Sequence, residues 1–567
     1  MKSRFVNIIV CLALLLSVCG CTQERPRGTV TPAASTTERP RGTVTPASTP
    51  EPASGDKTYF QDVWHGNVKY WEMEYEHYER YMLDKYLKPI YDMAKNGGTQ
   101  EEFEDADFYL TDELYYIQTL MTLLSLRQSA NPDDAELAEE LLYAQEMYYT
   151  ASDEYWNAMH TMAVSPHVEL MKPTYGDMFI SAFEEYEPRE DDSALEAYSA
   201  ENELINEYYR LMAQPEPDTD AVGQVFLDLV RLRRGAAESA GWDTYADYAY
   251  DMIYSRDYTP EDARAVWQGV KEHIVPVMND HEFHAQVGAQ LLLSSNAVDC
   301  GSEAIIASMD SILPRVSPEL YAAFRYMVDY GLYDIEHDPG KSNKGYTTIL
   351  YYDNEPFIFN AAYDEFYDYT DMFHEFGHFV NDFYTTSDLL FGYSNYDLSE
   401  LQSQGMELMF THFYDEIFGE YASAARGSLL MDMIYGIVDG ALDDEFLYRV
   451  YTDENLTVDR VNEIYAGLYE DYGYTPYDGF ETEWMWLNHN FEAPFYYISY
   501  SVSALAALEL YELMQESWER GVDRFLTLCA MDTEYYYYSE ALSEAGLSGI
   551  FDAETYSSIA GVLDKSF

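Results

Sequence analysis

Between residues 59 and 221, apolar side chains recur at intervals of three and four, the spacing of an amphipathic helix. The pattern predicts helices over 64–94, 111–129, 134–162 and 193–212. Asn131-Pro132-Asp133 and Gln214-Pro215-Glu216-Pro217 interrupt it. The second break suggests a boundary between an N-terminal helical domain, 58–221, and a larger domain, 222–567. Thr259-Pro260-Glu261-Asp262 reads as a helix start, with Thr as cap and Pro in the first turn. Near residue 346 the period shortens. Two short β segments, 347–352 and 357–359, flank the turn residues Asp353-Asn354-Glu355-Pro356, and a long helix follows from about Tyr369. The expected fold is mainly α, with a small β element beside that helix.

The first 57 residues read differently. Lys2 and Arg4 precede an apolar run, 8–18, too short and wrongly flanked for a membrane span, which reads as an export signal. Val18-Cys19-Gly20-Cys21 resembles a bacterial lipobox, with Cys21 as the lipidated residue of segment 1–21. Residues 22–57 lack aromatic side chains and repeat the decapeptide ERPRGTVTPA at Glu24 and Glu38, the composition of a disordered tether. An exported, membrane-anchored bacterial lipoprotein, at the cell surface or in the periplasm, is the expectation.

Charge then removes one class of function. The chain has 32 basic against 102 acidic side chains, a net of -70, so a nucleic-acid backbone would be repelled. Residues 1–57 carry 7 of the basic and 4 of the acidic groups, which leaves -73 on the folded part. Beyond Cys21 only Cys300 and Cys529 remain, and they could form one disulfide at most.

The candidate chemistry lies in His374-Glu375-Phe376-Gly377-His378, an HExxH pattern within a helical stretch. Positions four apart share a helical face, so both imidazoles can reach one ion, while Glu375, rotated by about 100°, can meet a water beside it. His281-Glu282-Phe283-His284 has the wrong spacing for such a site. Catalytic zinc generally takes three protein ligands and leaves one position open. Glu400, 22 residues after His378 in a stretch, 397–407, that reads as a second helix able to pack beside the first, is the candidate third ligand. Asp397 and Glu400 could instead form a capping pair, and Glu407 could back a ligand or compete for the ion.

These residues resemble the thimet oligopeptidase and oligoendopeptidase F family of zinc metallopeptidases. The matches are Phe373 to His378, then Glu400-x-x-Ser403-Gln404-x-x-Glu407, similar to the family block that carries the third ligand. Gly241 to Tyr248, Arg256 to Asp262, 356–360 and 540–561 are similar to the oligoendopeptidase F branch. The resemblance implies one zinc ion on His374, His378 and Glu400, with Glu375 as general base. It also implies a two-part helical body enclosing a peptide channel, and short unfolded peptides as substrates. In the family a His and one or more Tyr reach over the zinc, which points to His489, Tyr500 and Tyr496 here. Pro494 is expected to open a helix on which the two tyrosines share a face. Phe357, Ile358, Phe359 and Asn360 could form an edge strand that pairs with the peptide backbone. The expected activity is endo-acting peptide hydrolysis. A zincin carboxypeptidase or dipeptidase, or a noncatalytic peptide-binding lipoprotein, are the alternatives.

Overall fold

The computed structural model describes residues 59–186, 193–294, 298–342, 344–385 and 395–567. The export signal, Cys21 and the tether lie outside the described residues. Among the described residues the protein is mainly α-helical, with one three-stranded sheet and two hydrophobic cores.

The smaller core belongs to a bundle of the helix Asp84–Asn96, α1 (Gln100–Ala130) and α2 (Ala135–Ala163). Thr99 and Glu102 form a capping box at the start of α1, and Asp134 accepts from Glu136 N and Leu137 N at the start of α2. Leu110, Leu114, Tyr155, Trp156, Met159 and Phe183 fill the interior. Tyr208 and Leu211, from the helix Ser193–Met212, lie in the larger core instead.

Residues 64–83 depart from the helical expectation: they hold only the 3-10 turns Tyr70–Glu72 and Arg80–Met82. Their polar groups have partners outside the segment. Gly66 N donates to Asp353 O, Asn67 N donates to Glu355 Oε1, and the His65 ring lies between Asn354 O and Phe383 O. Tertiary bonds replace the helical ladder, and Asn67 takes a φ of 56°.

The sheet has the order β1 (Tyr333–Asp334), β3 (Glu355–Asn360), β2 (Gly345–Leu350). β1 runs parallel to β3, while β2 pairs with it antiparallel, from Gly345 opposite Asn360 to Leu350 opposite Glu355. The expectation of an edge strand at 356–360 is therefore corrected, because β3 is central and every residue of it is buried. Its own pairing explains how it holds a proline. Ile358 N donates to Leu332 O, away from β2, so Ile358 and Thr347 oppose each other without exchanging hydrogen bonds. Pro356 and Ile349 have the same parity, so the N–H that proline lacks is not wanted by β2. By the same parity, the main-chain groups of Gly345 and Thr347 face the outer edge of β2.

α3 (Phe366–Tyr384) lies between this sheet and α4 (Tyr396–Phe410). α5 (Ala422–Thr452) and α6 (Ile498–Glu516) complete the larger core, and α6 packs on both α4 and α5. Small residues set the spacing. A Cβ on Gly377 would sit 2.5 Å from Ser403 Cα and 2.9 Å from Gln402 O, and one on Gly440 would sit 2.6 Å from Tyr497 O. Among the described residues no helix is long and apolar enough to cross a membrane. Cys300 and Cys529 are both free and buried. Gly377→Ala must push α3 off α4 backbone, so it should destabilise the fold by about 1–3 kcal/mol, read as a lower midpoint in chemical denaturation.

Candidate metal centre

α3 supplies His374 and His378, one turn apart and both partly exposed, on a helix whose opposite side is packed with Phe373, Phe376, Phe379 and Val380. α4 supplies Glu400. Its N-cap is Asn395, whose side chain accepts from Leu398 N, so the proposed capping pair of Asp397 and Glu400 does not form. Asp397 instead accepts from Tyr258 OH at 2.8 Å and Ser499 Oγ at 2.6 Å, with Arg256 Nε at 3.4 Å.

Three ligand atoms converge. His374 Nε2 and His378 Nε2 are 3.3 Å apart, and Glu400 Oε2 is 3.2 Å from the first and 3.8 Å from the second. These three residues form a candidate metal-holding group. With zinc bonds of about 2.0–2.1 Å, neighbouring ligands of a tetrahedron are about 3.3 Å apart, so the donor set fits such an ion in both type and spacing.

The surroundings hold each ligand in place. His374 Nδ1 donates to Glu407 Oε1 at 2.7 Å, and His378 Nδ1 lies in a hydrogen bond with Ser399 Oγ at 2.9 Å, which leaves both Nε2 atoms turned to the centre. Tyr496 OH donates to Glu400 Oε1 at 2.6 Å, and Ser403 Oγ donates to Glu400 Oε2 at 3.2 Å. Burial works against the Glu400 anion, but bonds and charge from the histidines and Tyr496 outweigh it and hold the carboxyl at about 2. Burial also lowers His378 to about 4, so it stays neutral. His374 feels the same burial, yet its bonds to Glu400 and Glu407 hold it well above the usual imidazole value. A proton on His374 and a metal ion satisfy the same carboxylates.

Glu375 points off this face and is 7% exposed. Burial lifts its carboxyl to about 7, against the pull of His374 and Thr347. Thr347 Oγ1 donates to Glu375 Oε2 at 2.7 Å, which fixes the carboxylate and leaves Oε1 for other partners.

The C-terminal residues expected over the ion lie along a strap formed by the short helix His489–Glu492, the connecting turn that holds Tyr496, and the first turn of α6 with Tyr500. Pro494 does not open the helix. It sits in the connecting turn, its carbonyl accepting from Tyr254 OH, with Phe495 at a φ of 72° and α6 starting only at Ile498. Tyr496 and Tyr500 therefore do not share a helical face, though their rings meet at 5.5 Å. The Tyr496 hydroxyl is bound to a ligand instead of reaching over the ion. His489 is 2% exposed, its ring stacks on Tyr496 at 5.5 Å, and neither ring nitrogen has a hydrogen-bond partner. Burial lowers it to about 4. Buried guanidiniums tie the strap down, with Arg256 Nη2 donating to Ser499 Oγ and Arg233 Nη2 to Phe491 O.

The sequence reading missed Thr347, Ser399 and the two arginines. Thr347 was open to discovery from the alternation of β2, whereas the arginine contacts join residues more than 200 positions apart. The decoy His281 faces Asp564 at 3.0 Å and stacks on Phe567, away from any metal-holding group among the described residues.

No family model and no curated protein matches the chain. Solved structures do. The chain is similar to PZ peptidase A, solved with an inhibitor, at a TM-score of 0.72 and 20% identity, over 88% of this chain and 98% of that one. A Bacillus anthracis protein named for oligoendopeptidase F gives 0.70 and 19%, over 88% and 98%. A Pyrococcus furiosus carboxypeptidase gives 0.55 and 13%, over 87% and 100%. The chain has the fold of these peptidase structures.

Glu407→Gln removes the charge behind His374 while keeping its shape. Competition with a chelator should show zinc affinity lower by about 10- to 100-fold, with the fold intact by circular dichroism.

Proposed function

We propose that the protein is a zinc-dependent oligoendopeptidase that hydrolyses internal bonds of short, unfolded peptides outside the cytoplasm. The observation that carries this reading is the convergence of His374 Nε2, His378 Nε2 and Glu400 Oε2 beside the buried carboxylate of Glu375.

A zinc ion on these ligands supplies Lewis acidity, which polarises the scissile carbonyl and makes water acidic near neutral pH. The remaining work belongs to the chain. Glu375, fixed through Oε2 by Thr347, accepts a proton from the attacking water at Oε1 as the oxygen bonds to the carbonyl carbon. It returns that proton to the amine nitrogen as the C–N bond breaks. His489, neutral and without a protein partner, supplies an N–H to the negative charge that develops on the carbonyl oxygen. Tyr500, whose ring lies 6.3 Å from that of His489, is the second donor, while Tyr496 orients Glu400.

One feature supports peptides as substrates. The partly exposed edge of β2 at Gly345 and Thr347 offers main-chain groups to which an extended peptide can add as a strand. The similarity to a carboxypeptidase keeps end-trimming as the second reading. Peptides blocked at both ends separate the two, because only an endopeptidase cuts them. Export and lipid anchoring through Cys21 belong to the same proposal.

Glu375→Gln should retain stoichiometric zinc by elemental analysis while cleavage of a blocked fluorogenic peptide falls by at least about a thousandfold; near-parental turnover would remove Glu375 from its role. The parent should cut that peptide far faster than intact casein, and a preference for casein would rule out an enclosed site. Fatty-acid label should enter the full chain and be lost in Cys21→Ala, whereas label retained by the variant would exclude that anchor.

A further inference from the structure

Buried amides in this protein are generally bonded. Asn381 Nδ2 donates to Cys529 O and Met531 O, and Asn395 Nδ2 donates to Tyr536 O. Gln118 on α1 and Asn360 differ, with both amide ends unpaired. Asn360 is 5% exposed, and neither its Oδ1 nor its Nδ2 has a hydrogen-bond partner. Leaving both ends of an amide unpaired inside a protein is costly, so the position of such a group decides what it could do.

Its position indicates the use. Asn360 ends β3 opposite Gly345, on the face of the sheet from which Thr347 reaches Glu375. A Cβ on Gly345 would lie 2.6 Å from Asn360 Oδ1 and 3.7 Å from Glu375 Oε1. The amide and the oxygen of Glu375 that Thr347 does not occupy therefore flank the same point beside Gly345. Gly345 is the partly exposed end of the sheet's outer strand, and any side chain there would collide with the amide.

We propose that Asn360 is a substrate-binding residue whose carboxamide pairs with a main-chain peptide group next to the scissile bond. A carboxamide offers one acceptor and one donor side by side, the complement of a peptide C=O and N–H. Such a contact reads the backbone and tolerates any side chain. It places the bound peptide within reach of Glu375 and makes good the pairing that the free protein lacks. The role differs from strand addition, since β3 has no open edge and the contact runs through the side chain. The assignment rests on the peptidase reading for the nature of its ligand.

The test uses the zinc-loaded full chain with Asn360→Leu, close in volume and without polar atoms, and Asn360→Ala. Removing an unpaired buried amide should leave the unfolding midpoint unchanged or higher in Asn360→Leu, with zinc content equal to the parent. On a blocked fluorogenic peptide kcat/KM should fall by about ten- to hundredfold. Calorimetric titration of that peptide into zinc-loaded Glu375→Gln should lose about tenfold or more in affinity when Asn360→Leu is added. Parental turnover with unaltered kcat/KM and peptide affinity in both Asn360 variants overturns the assignment and leaves the peptidase reading standing. A midpoint lowered in both variants, or failure of both to fold, makes the amide a structural group and also overturns it. A parent that neither cuts nor binds the peptide ends both readings.

Discussion

The close approach of α3 and α4 at Gly377 is the constraint on which the site depends. A carboxylate and two imidazoles can share one ion only if their helices lie nearer than side chains at the crossing would allow. Glycine at 377, against the backbone at Gln402 and Ser403, permits it. Glu400 then comes within 3.2 Å of His374, and Glu407, almost two turns further along α4, lands behind the same ring. One crossing thus sets both the ligand and the group that orients it. The Cβ-sized gap inside the HExxH motif has a mechanical reason, separate from the chemistry of the residues around it.

That crossing was legible in part. The local periods were readable: His374 and His378 four apart, Glu375 turned aside, Glu400 and Glu407 seven apart. So was the β element before the zinc-type helix, because its alternation is short-range. What lay hidden depends on distant partners. β1 has two residues and pairs parallel with β3 across an intervening strand, so no local pattern announces it, and without it β3 reads as an edge. Helical periodicity at 64–83 is overridden by bonds to the turn near Asp353 and to Phe383, some 300 positions away. Pro494 has the preference for a helix start, but the positive φ at Phe495 postpones the helix to Ile498. The role of Tyr496 follows from that delay.

The strap shows how stability and chemistry are divided. Arg256 lies between the rings of Tyr250 and Tyr254, at 4.5 and 4.6 Å, and ties Ser499 to Asp397 on the ligand helix. Burying a guanidinium is expensive unless it is paired, and here the pair bridges the two elements that must stay in register. The well-satisfied polar groups of the strap hold it to α4. Among the unsatisfied ones are Asn490 Oδ1 and the two nitrogens of His489, whose ring stacks on Tyr496.

Asn360 stands near Glu375, and His489 stacks on the tyrosine that holds Glu400, each buried and each without a partner. A folded chain tolerates few such atoms, because every one subtracts from a small net stability. Their placement near the proposed base and near a candidate ligand therefore carries more information than their number. In the proposed peptidase, polar atoms already stripped of water would need little rearrangement when a peptide arrives. The unfavourable step is taken in folding, where the large core of α4, α5 and α6 can support it, and would not be repeated at each turnover.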